Sequence, residues 1–556
     1  MDDTTGGGQP STGTGGGPPS TVMARPADVQ RLHELGYAQE LRRGMGGFSN
    51  FAISFTIISI LSGCLTLFGY GMVIGGPASA AYGWPMVGIL VTFVSLAMAE
   101  ICSSYPTAGG LYYWSAKVAP KNGPAWSWFT GWFNLLGQVG VTAGIDFGLA
   151  AFVCAFMNIA FDVQITKLIL VGAYSAVLAI HGLMNTFGIR LVALLNDVSV
   201  WWHVAGVIII FGILFIVPDQ HTSFATIFSF SKTPSRPDEV AGFINGSGFS
   251  TGFFSSTLYI FLIGMLMAQY TLTGYDASAH LTEETHAADV SGPRGIYRSV
   301  VVSVIFGYIL LLGVWYAVQG VTGYDNALSF QLETANVAAP AQIFLDAVGK
   351  GGAIFMLLIV IGAQFFCGMA SVTANSRMIY AFARDGAIPA HQVWHKINKR
   401  TRTPTNSIWF AVVGAWLLVA PAYWRGSAVA YFAVTSIAVV GLYIAYVTPT
   451  FLRLRAGRGF QAGPWNLGRW SYLVGTIAVV WTVFICIMLM MPQFSPGGLD
   501  IKVMDALNYA PIAVGIVIGF AGIWWIVSAR KWFKGPKVQG TAEELAVIER
   551  DLEVVG

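Results

Sequence analysis

Charged residues are scarce in this sequence. Asp, Glu, Lys and Arg make up 10% of its 556 residues, against about 25% in a typical soluble domain. The net charge is only +3, so nucleic acid is not expected as a partner. Hydrophobic residues make up 55% of the chain, which is more apolar surface than a water-soluble fold can bury. The composition therefore predicts an all-α integral membrane protein.

Cysteine is also rare, with five residues in the whole chain. Each lies in or at the edge of an apolar run, and none belongs to a C-x-x-C motif. Disulfide scaffolds and zinc sites need cysteines that are paired or suitably spaced. We therefore expect no metal or other cofactor, and we interpret the cysteines as small apolar packing residues: Cys64, Cys102, Cys154, Cys367 and Cys486.

Long apolar segments fill most of the remaining sequence. A membrane span needs about 20 apolar residues, and no charged residue occurs between Arg43 and Glu100. Residues 1–47 are predicted to form a tail with a short amphipathic helix over 27–43, and 531–556 a second tail. Between them we predict twelve spans: 49–73, 82–104, 124–157, 168–187, 195–217, 255–278, 299–320, 351–381, 407–423, 427–451, 470–491 and 508–528.

The positions of lysine and arginine predict the orientation, because these residues concentrate in cytoplasmic loops. With the N-terminus inside, 24 of the 30 fall on the cytoplasmic side. An even number of spans then places both tails in the cytoplasm of a multi-pass protein of the cytoplasmic (plasma) membrane. The residues that fall outside are Lys167, Lys232, Arg236, Lys350, Arg425 and Lys502.

Two predicted spans carry small and polar residues where a helix could break. Unwound backbone in a membrane leaves polar groups that a polar solute can satisfy. A helix N-terminus offers amide donors to a carboxylate, and free carbonyls suit an ammonium group. The alternative is ordinary close packing of small residues. The first and sixth spans, five apart as an inverted repeat requires, supply the candidate residues: Ser62, Gly63, Cys64, Leu65 and Thr66, then Tyr270, Thr271, Leu272, Thr273 and Gly274.

Ionisable residues inside a membrane are functional candidates. Asp146 in the third span could attract an ammonium group, or it could be hydrogen-bonded within the bundle. His181 is interpreted as a packing residue. Further candidates lie toward the inner ends of spans and are expected to form gating ion pairs with Arg294, Arg377 or Arg384: Glu100, Asp276, Glu283 and Glu284.

Four stretches in order resemble a known group of proteins. They comprise Gly36–Arg43 with Phe48–Phe55, then Ala99-Glu100 with Tyr105–Tyr112, then Gly274–Asp276 with Glu283-Glu284 and Pro293–Ile296, and finally Ser376-Arg377 with Ala383–Gly386 and Pro389. These residues are similar to the amino acid–polyamine–organocation (APC) superfamily. Within it they look most like the amino acid/choline branch, which includes GABA-type permeases.

This resemblance implies a LeuT-type fold, with ten core helices over 48–455 in two inverted five-helix repeats. Helices 1 and 6 would be broken, and two peripheral helices would occupy 456–530. The substrate carboxylate would lie on Ser62–Thr66, the amino group on carbonyls near Tyr270–Thr273, and Tyr270 would gate the site. His203 would replace a sodium ion as a proton carrier. The alternative for His203 is an interfacial histidine beside two tryptophans.

The resemblance implies a secondary transporter rather than an enzyme. Its partners would be a small amino acid or related amine such as GABA, membrane lipid and H⁺, with uptake by alternating access. Choline, ethanolamine, polyamines and amino acid exchange remain open. Outside transport, a nutrient sensor on the same fold is an alternative. A channel would need charged rings or pore loops, and an enzyme a nucleophile–base constellation, and the sequence offers neither.

Overall fold

α-Helices supply nearly all regular structure in the part of the chain that the computed structural model describes. This part is residues 26–553 without 231–256, 321–322, 324–325, 328–337, 421–426 and 492–509. The first half holds α1 (Pro26–Glu34), α2 (Gly47–Ile58), α3 (Ile60–Thr66), α4 (Phe68–Ile74), a π-helical turn (Ser79–Gly83), α5 (Trp84–Ser104), α6 (Gly110–Val118), α7 (Gly123–Phe161), α8 (Lys167–Phe187), α9 (Ile189–Ile216) and α10 (Phe224–Ile227).

The second half continues the helical pattern. It holds α11 (Thr257–Gly264), α12 (Leu266–Thr271), α13 (Ala277–His280), α14 (Ala288–Tyr316), α15 (Ala339–Arg384), α16 (His391–Trp394), α17 (Thr405–Val419), α18 (Ser427–Ala456), α19 (Ser471–Met490), α20 (Ala510–Trp524), α21 (Arg530–Trp532) and α22 (Ala542–Glu553). The two β-bridges within the described ranges, Met45–Thr285 and Asn398–Thr403, are isolated.

Ten helices in the described ranges are long and apolar enough to cross a membrane. Two shorter apolar helices, Phe261–Thr271 and Thr405–Val419, lie where the sixth and ninth spans were predicted. The predicted residues 421–423, 255–256 and 508–509 lie outside the described residues. The prediction of a multi-pass helical membrane protein is therefore confirmed, and the number twelve stays a prediction.

Some helices extend beyond the predicted spans, and the predicted N-terminal helix is shorter than expected. The seventh span was expected from residue 299, but α14 begins at Ala288. Its first turns carry Arg294 and Arg298, which interrupt an apolar run without interrupting a helix. The amphipathic helix predicted over 27–43 ends at Glu34, because Gly36 adopts φ +97°, outside the helical region.

The long helix α7 lies at the centre of the bundle and packs most extensively against α18 and α15. Its backbone meets that of α18 at two glycines. A Cβ on Gly137 would lie 2.6 Å from the amide nitrogen of Leu442, and one on Gly441 would lie 2.9 Å from that of Gly137. Small residues give membrane helices this close contact. The bundle core therefore packs backbone to backbone around α7.

Large apolar side chains point outward from the bundle. Several are more than half exposed in the isolated chain, which suits contact with lipid rather than water. Examples from separate helices are Ile208, Ile305, Leu417, Val480 and Ile516.

Candidate substrate site

The first membrane helix is broken at Ser59. This residue has φ 37° and ψ 81°, a left-handed conformation, between the end of α2 and the start of α3. Its carbonyl accepts hydrogen bonds from the amides of Ser62 (2.9 Å) and Gly63 (2.8 Å). A left-handed conformation at a non-glycine residue is uncommon and costs about 1–2 kcal/mol. The surrounding fold therefore imposes this break.

The break predicted within Ser62–Thr66 is not where the helix breaks. That segment belongs to α3 and is fully helical and buried. The hydroxyl of Thr66 donates to the carbonyl of Ser62 at 3.0 Å. This hydrogen bond lies within the helix and does not interrupt it. The small residues serve packing here, because a Cβ on Gly63 would lie 2.9 Å from the Cα of Thr271. Substrate binding by this segment stays a prediction.

The sixth membrane helix is interrupted between Thr271 and Ala277, where the sequence predicted an interruption. Gly274 adopts φ +89°, which favours glycine. Two tyrosines of α18 satisfy the unwound backbone. The hydroxyl of Tyr443 donates to the carbonyl of Leu272 at 2.8 Å, and the amide of Gly274 donates to the hydroxyl of Tyr446 at 3.3 Å.

A narrow cavity of about 10 Å³ lies between the two broken helices, α7 and α15. This volume is room for about one water molecule and far below the roughly 300–1,000 Å³ of sites for drug-sized ligands, so a solute can enter only when the surrounding helices move apart. None of the described residues that line it carries a full charge. They are Ile57, Ile58, Ser62, Gly63, Val141, Ile145, Tyr270, Thr271, Thr273 and Cys367.

Half of this lining was predicted from the sequence. The lining does not include Cys64, Leu65, Thr66, Asp146, Leu272 or Gly274. The residues that were missed are apolar or weakly polar, and only their helical spacing hinted at a role. Val141 and Ile145 are four positions apart and share one face of α7.

Tyr270 presents an unsatisfied hydroxyl to this region. The side chain is buried, and its hydroxyl has no hydrogen-bond partner among the described residues. A Cβ on Gly144 would lie 2.5 Å from this oxygen, so the ring spans the space between α12 and α7. A buried polar group without a partner costs about 1–3 kcal/mol. The site therefore holds a polar atom that a solute could satisfy.

His203 contacts the first helix break directly. Its Nε2 lies 2.7 Å from the hydroxyl oxygen of Ser59, and its Nδ1 lies 2.7 Å from the carbonyl oxygen of Ser199. Because a carbonyl only accepts, Nδ1 donates and Nε2 faces the Ser59 hydroxyl. His203 is fully buried, whereas Trp201 is 68% exposed. The interfacial alternative therefore does not describe this ring.

Asp146 does not reach the cavity lining. Its Oδ1 lies 3.1 Å from Nδ1 of His181, and both side chains are fully buried. The interpretation of His181 as a packing residue therefore missed an ionisable pair. Sequence spacing gave no signal for it, because the partners lie on different helices 35 positions apart.

Two predicted ion pairs are formed at one end of the bundle. Arg384 donates to both carboxylate oxygens of Glu283, at 3.0 and 3.1 Å. Arg377 donates to Glu284 at 2.8 Å. Glu283 also accepts from the amide of Ala108 at 2.9 Å, so this buried carboxylate has several partners. No ion pair of Arg294 occurs within the described part of the chain.

The other two predicted gating carboxylates have different partners. Asp276 accepts hydrogen bonds from Gln138 and Tyr446, both at 2.7 Å, and lies 3.2 Å from His280. The prediction of an arginine partner is wrong for it, because it faces α7 and α18.

Glu100 likewise pairs outside the predicted set. It lies 3.4 Å from Arg453 and accepts from the Ser471 hydroxyl at 2.5 Å. The end of α5 packs against α19, so Glu100 joins α5 to α18 and α19.

Both chain tails reach the ion pairs of Glu283 and Glu284. The name tail-side cluster is used for these two glutamates together with Arg377, Arg384 and Asp385. Asp385 accepts from the hydroxyls of Tyr37 and Tyr112 and from the amide of Lys537. Burial raises the pKa of Asp385, and the neighbouring Arg384 opposes that rise.

The N-terminal segment closes over the tail-side cluster. The Arg384 guanidinium lies 3.8 Å from the ring centroid of Tyr37, a cation–π contact. Burial and the carboxylate of Asp385 raise the pKa of Tyr37. The sequence gave no signal for this contact, since Tyr37 precedes every span.

A helical bundle with an uncharged internal cavity at two helix breaks defines a membrane protein of the permease class. Residues 45–519 match the sequence profile of a family described as amino acid permease, and the chain belongs to this family. An amino-acid permease of Arabidopsis thaliana, BAT1, is 41% identical over 91% of this chain and 95% of its own length. Its homolog in Oryza sativa is 40% identical over the same shares. A GABA-specific permease of Saccharomyces cerevisiae is 30% identical over 92% of this chain and 86% of its own.

Proposed function

We propose that this permease carries a small amino acid or related amine such as GABA through the cavity at the two helix breaks, by alternating access. The observation that carries the proposal is the cavity between the two helix breaks, which are marked by the left-handed backbone of Ser59 and Gly274. Transporters of similar design bind solutes at discontinuous helices near the membrane midplane. The names of the relatives, amino-acid permease and GABA-specific permease, point to the same substrate class.

The uncharged lining favours a solute without net charge. A zwitterion can satisfy its own charges against backbone groups, hydroxyls and the unpartnered Tyr270. A choline or polyamine cation would leave an uncompensated charge in this cavity. A neutral amino acid or GABA is therefore the first candidate, and choline, ethanolamine or polyamine the second. Uptake and amino acid exchange use the same site and differ only in the return step.

We infer twelve spans in a LeuT-type arrangement, with ten core helices over 48–455, broken helices 1 and 6, and peripheral helices over 456–530. The two shorter apolar helices complete the twelve together with the ten long ones. Both tails contact the tail-side cluster and therefore lie on the same side, as an even count requires. The lysine and arginine distribution supports a cytoplasmic position for that side, in what we propose is the plasma membrane.

We also propose that uptake is coupled to protons and that His203 takes part. Its Nε2 faces Ser59 at the helix break, so adding a proton there would turn an acceptor into a donor and disturb that contact. Uptake of labelled GABA into proteoliposomes that is unaffected by an imposed pH gradient would contradict the coupling.

The tail-side cluster is proposed to close the cytoplasmic side of the cavity. Glu283 and Glu284 follow the broken sixth helix, and Arg377 and Arg384 end α15, so their ion pairs join two elements that line the cavity. Tyr270 would close the cavity itself. Opening toward the cytoplasm then requires these ion pairs to separate.

A ligand screen followed by counterflow tests the proposal. Purified protein is heated with individual amino acids and amines, and binding solutes are then tested for counterflow in proteoliposomes. Gly63→Leu should abolish the thermal shift and counterflow, because even a Cβ there lies 2.7 Å from the Thr271 side chain.

The matched control is Gly172→Leu, on the exposed face of α8, where a Cβ meets no atom within 4 Å. It should keep binding and counterflow. Binding without counterflow in the unaltered protein would instead favour a nutrient sensor.

A further inference from the structure

We propose that Asp146 and His181 together form a proton-binding site that holds a transported proton while the cavity is closed. The proposal rests on the proposed function, and it assigns Asp146 to the proton rather than to the substrate ammonium. The site is separate from His203, which lies on α9 and contacts Ser59. Here the proton lies between Oδ1 of Asp146 and Nδ1 of His181, which are 3.1 Å apart.

The pair keeps unused hydrogen-bonding capacity in a dry environment. Oδ2 of Asp146 and Nε2 of His181 are buried and have no partner among the described residues. The neighbouring pair Asp276–His280 is different. Both carboxylate oxygens of Asp276 accept hydrogen bonds, and Nδ1 of His280 lies 2.9 Å from the carbonyl oxygen of Ala108. The hydrogen-bonding atoms of Asp276–His280 are therefore already paired, whereas Asp146–His181 can still gain hydrogen-bond partners.

The net charge of the pair depends on one proton. With the proton, an imidazolium and a carboxylate cancel. Without it, a carboxylate remains buried beside a neutral ring, and within the described residues no lysine or arginine forms an ion pair with it. Burying an uncompensated charge is strongly unfavourable. One proton held between Asp146 and His181 removes this unpaired charge from the closed state.

The other titratable groups that face Asp146 cannot offset the negative charge of its carboxylate. They are Tyr174 on α8, Tyr270 on α12 and Cys367 on α15. Each is neutral when protonated and negative when not, so none supplies a positive charge. Of these three groups and His181, only His181 becomes positively charged when it gains a proton, so only it can offset the charge of the carboxylate.

The pair also contacts the elements that form the cavity. Ile145, which lines the cavity, precedes Asp146, and Cys367, which also lines it, precedes Gly368. A Cβ on Gly368 would lie 1.9 Å from Oδ1 of Asp146. Any movement of α15 that opens the cavity must therefore change the surroundings of the pair and its access to water.

Proteoliposomes that carry Asp146→Asn or His181→Asn test the proposal with labelled GABA. Counterflow at equal pH needs substrate binding and alternating access but no net proton movement. Accumulation against a gradient needs the transported proton. Both variants should keep counterflow within about threefold, because an asparagine can hold the remaining partner, and lose accumulation at least tenfold (about 1.4 kcal/mol per tenfold).

The matched control is Asp162→Asn at the outer end of the same helix. Asp162 is 87% exposed and faces Lys350 at 3.4 Å, so its removal should change neither measurement. Accumulation that stays at the unaltered level in Asp146→Asn would overturn the proposal. Loss of counterflow in Asp146→Asn with normal folding would also overturn it, since Asp146 would then bind substrate.

A ligand-free measurement separates this proposal from the identity of the substrate. If the unaltered protein does not carry GABA, the proposed substrate fails but the pair remains testable. The apparent melting temperature is compared at an acidic and a basic pH that bracket the range in which imidazoles titrate. Acidification should stabilise the unaltered protein more than Asp146→Asn. An identical pH response in both would overturn the proposal.

Discussion

The cavity and the tail-side cluster are both buried and contain polar groups, but they differ in whether those groups have partners within the protein. In the cluster, Glu283 and Glu284 each pair with an arginine. At the cavity, the Tyr270 hydroxyl is without a partner within the described ranges. The carboxylates of the cluster find their partners within the protein, whereas the Tyr270 hydroxyl at the cavity needs a partner from outside. The difference indicates that the first region holds a conformation and the second receives a solute.

Breaking the cluster should give the largest effect. Arg384→Gln leaves Glu283 buried without its cation, and removal of one partner from a buried ion pair costs about 3–5 kcal/mol. We expect a large fall in the melting temperature of the purified protein. The double variant Glu283→Gln/Arg384→Gln should recover part of the loss, because no buried charge is left unpaired. Lys350→Gln, which breaks the exposed Lys350–Asp162 pair, should cost about 0–1 kcal/mol.

Equal losses in Arg384→Gln and Lys350→Gln would contradict the burial of the cluster. A double variant no better than Arg384→Gln alone would show that the two charges act separately.

Removal of the unpartnered Tyr270 hydroxyl tests the cavity side of the comparison. Tyr270→Phe takes away an atom that nothing in the described protein satisfies, so the ligand-free protein should be as stable as before or more so. If the solute satisfies this hydroxyl, binding should weaken about two- to thirteenfold, the effect of one net hydrogen bond of about 0.5–1.5 kcal/mol. Calorimetric titration with the solute that counterflow identifies measures this. Unchanged affinity would place the hydroxyl outside the site.

The break at Ser59 predicts a difference between two substitutions. Ser59→Ala and Ser59→Gly both lose the hydrogen bond to His203, but only glycine accepts φ 37° without strain. Ser59→Gly should therefore be more stable than Ser59→Ala by about 1 kcal/mol, measured as a thermal shift. A more stable Ser59→Ala would indicate a continuous first helix, since alanine is the better helix former.

A pH effect at Asp385 should be the smallest. Burial raises the pKa of Asp385 above its usual value of 3.8. The folded protein therefore binds this proton more tightly than the unfolded chain, and the stabilisation is present at low pH and lost as the pH rises through the raised pKa. Acidification from neutral pH should raise the melting temperature of the unaltered protein relative to Asp385→Asn. Parallel curves would contradict the shift.

The sequence predicted what depends on composition and on local pattern. Apolar runs gave the helices, and the motif around Gly274 gave the interruption of the sixth helix. Charged residues at span ends gave the pairs of Glu283 and Glu284. These features follow from residues close together in the chain or from the cost of placing charge in lipid.

The remainder depends on contacts between distant segments. Ser59 is left-handed because the fold holds it there, not because serine prefers it. Asp146 finds His181 on another helix, and Glu100 finds Arg453 through the packing of α5 on α19. Tyr37 reaches Arg384 from the tail. Hydropathy and spacing carry no information on such pairings.

Thiol labelling of Cys367 tests most directly whether the cavity at the two breaks is the transport site. Cys367 lines the cavity and is buried, as are the other four cysteines, so alanine or serine at those four leaves it as the single target. A small water-soluble thiol reagent should reach Cys367 only when the cavity opens, and a saturating solute active in counterflow should slow the labelling at least tenfold, about 1.4 kcal/mol of protection. A labelling rate that the transported solute leaves unchanged would contradict the account.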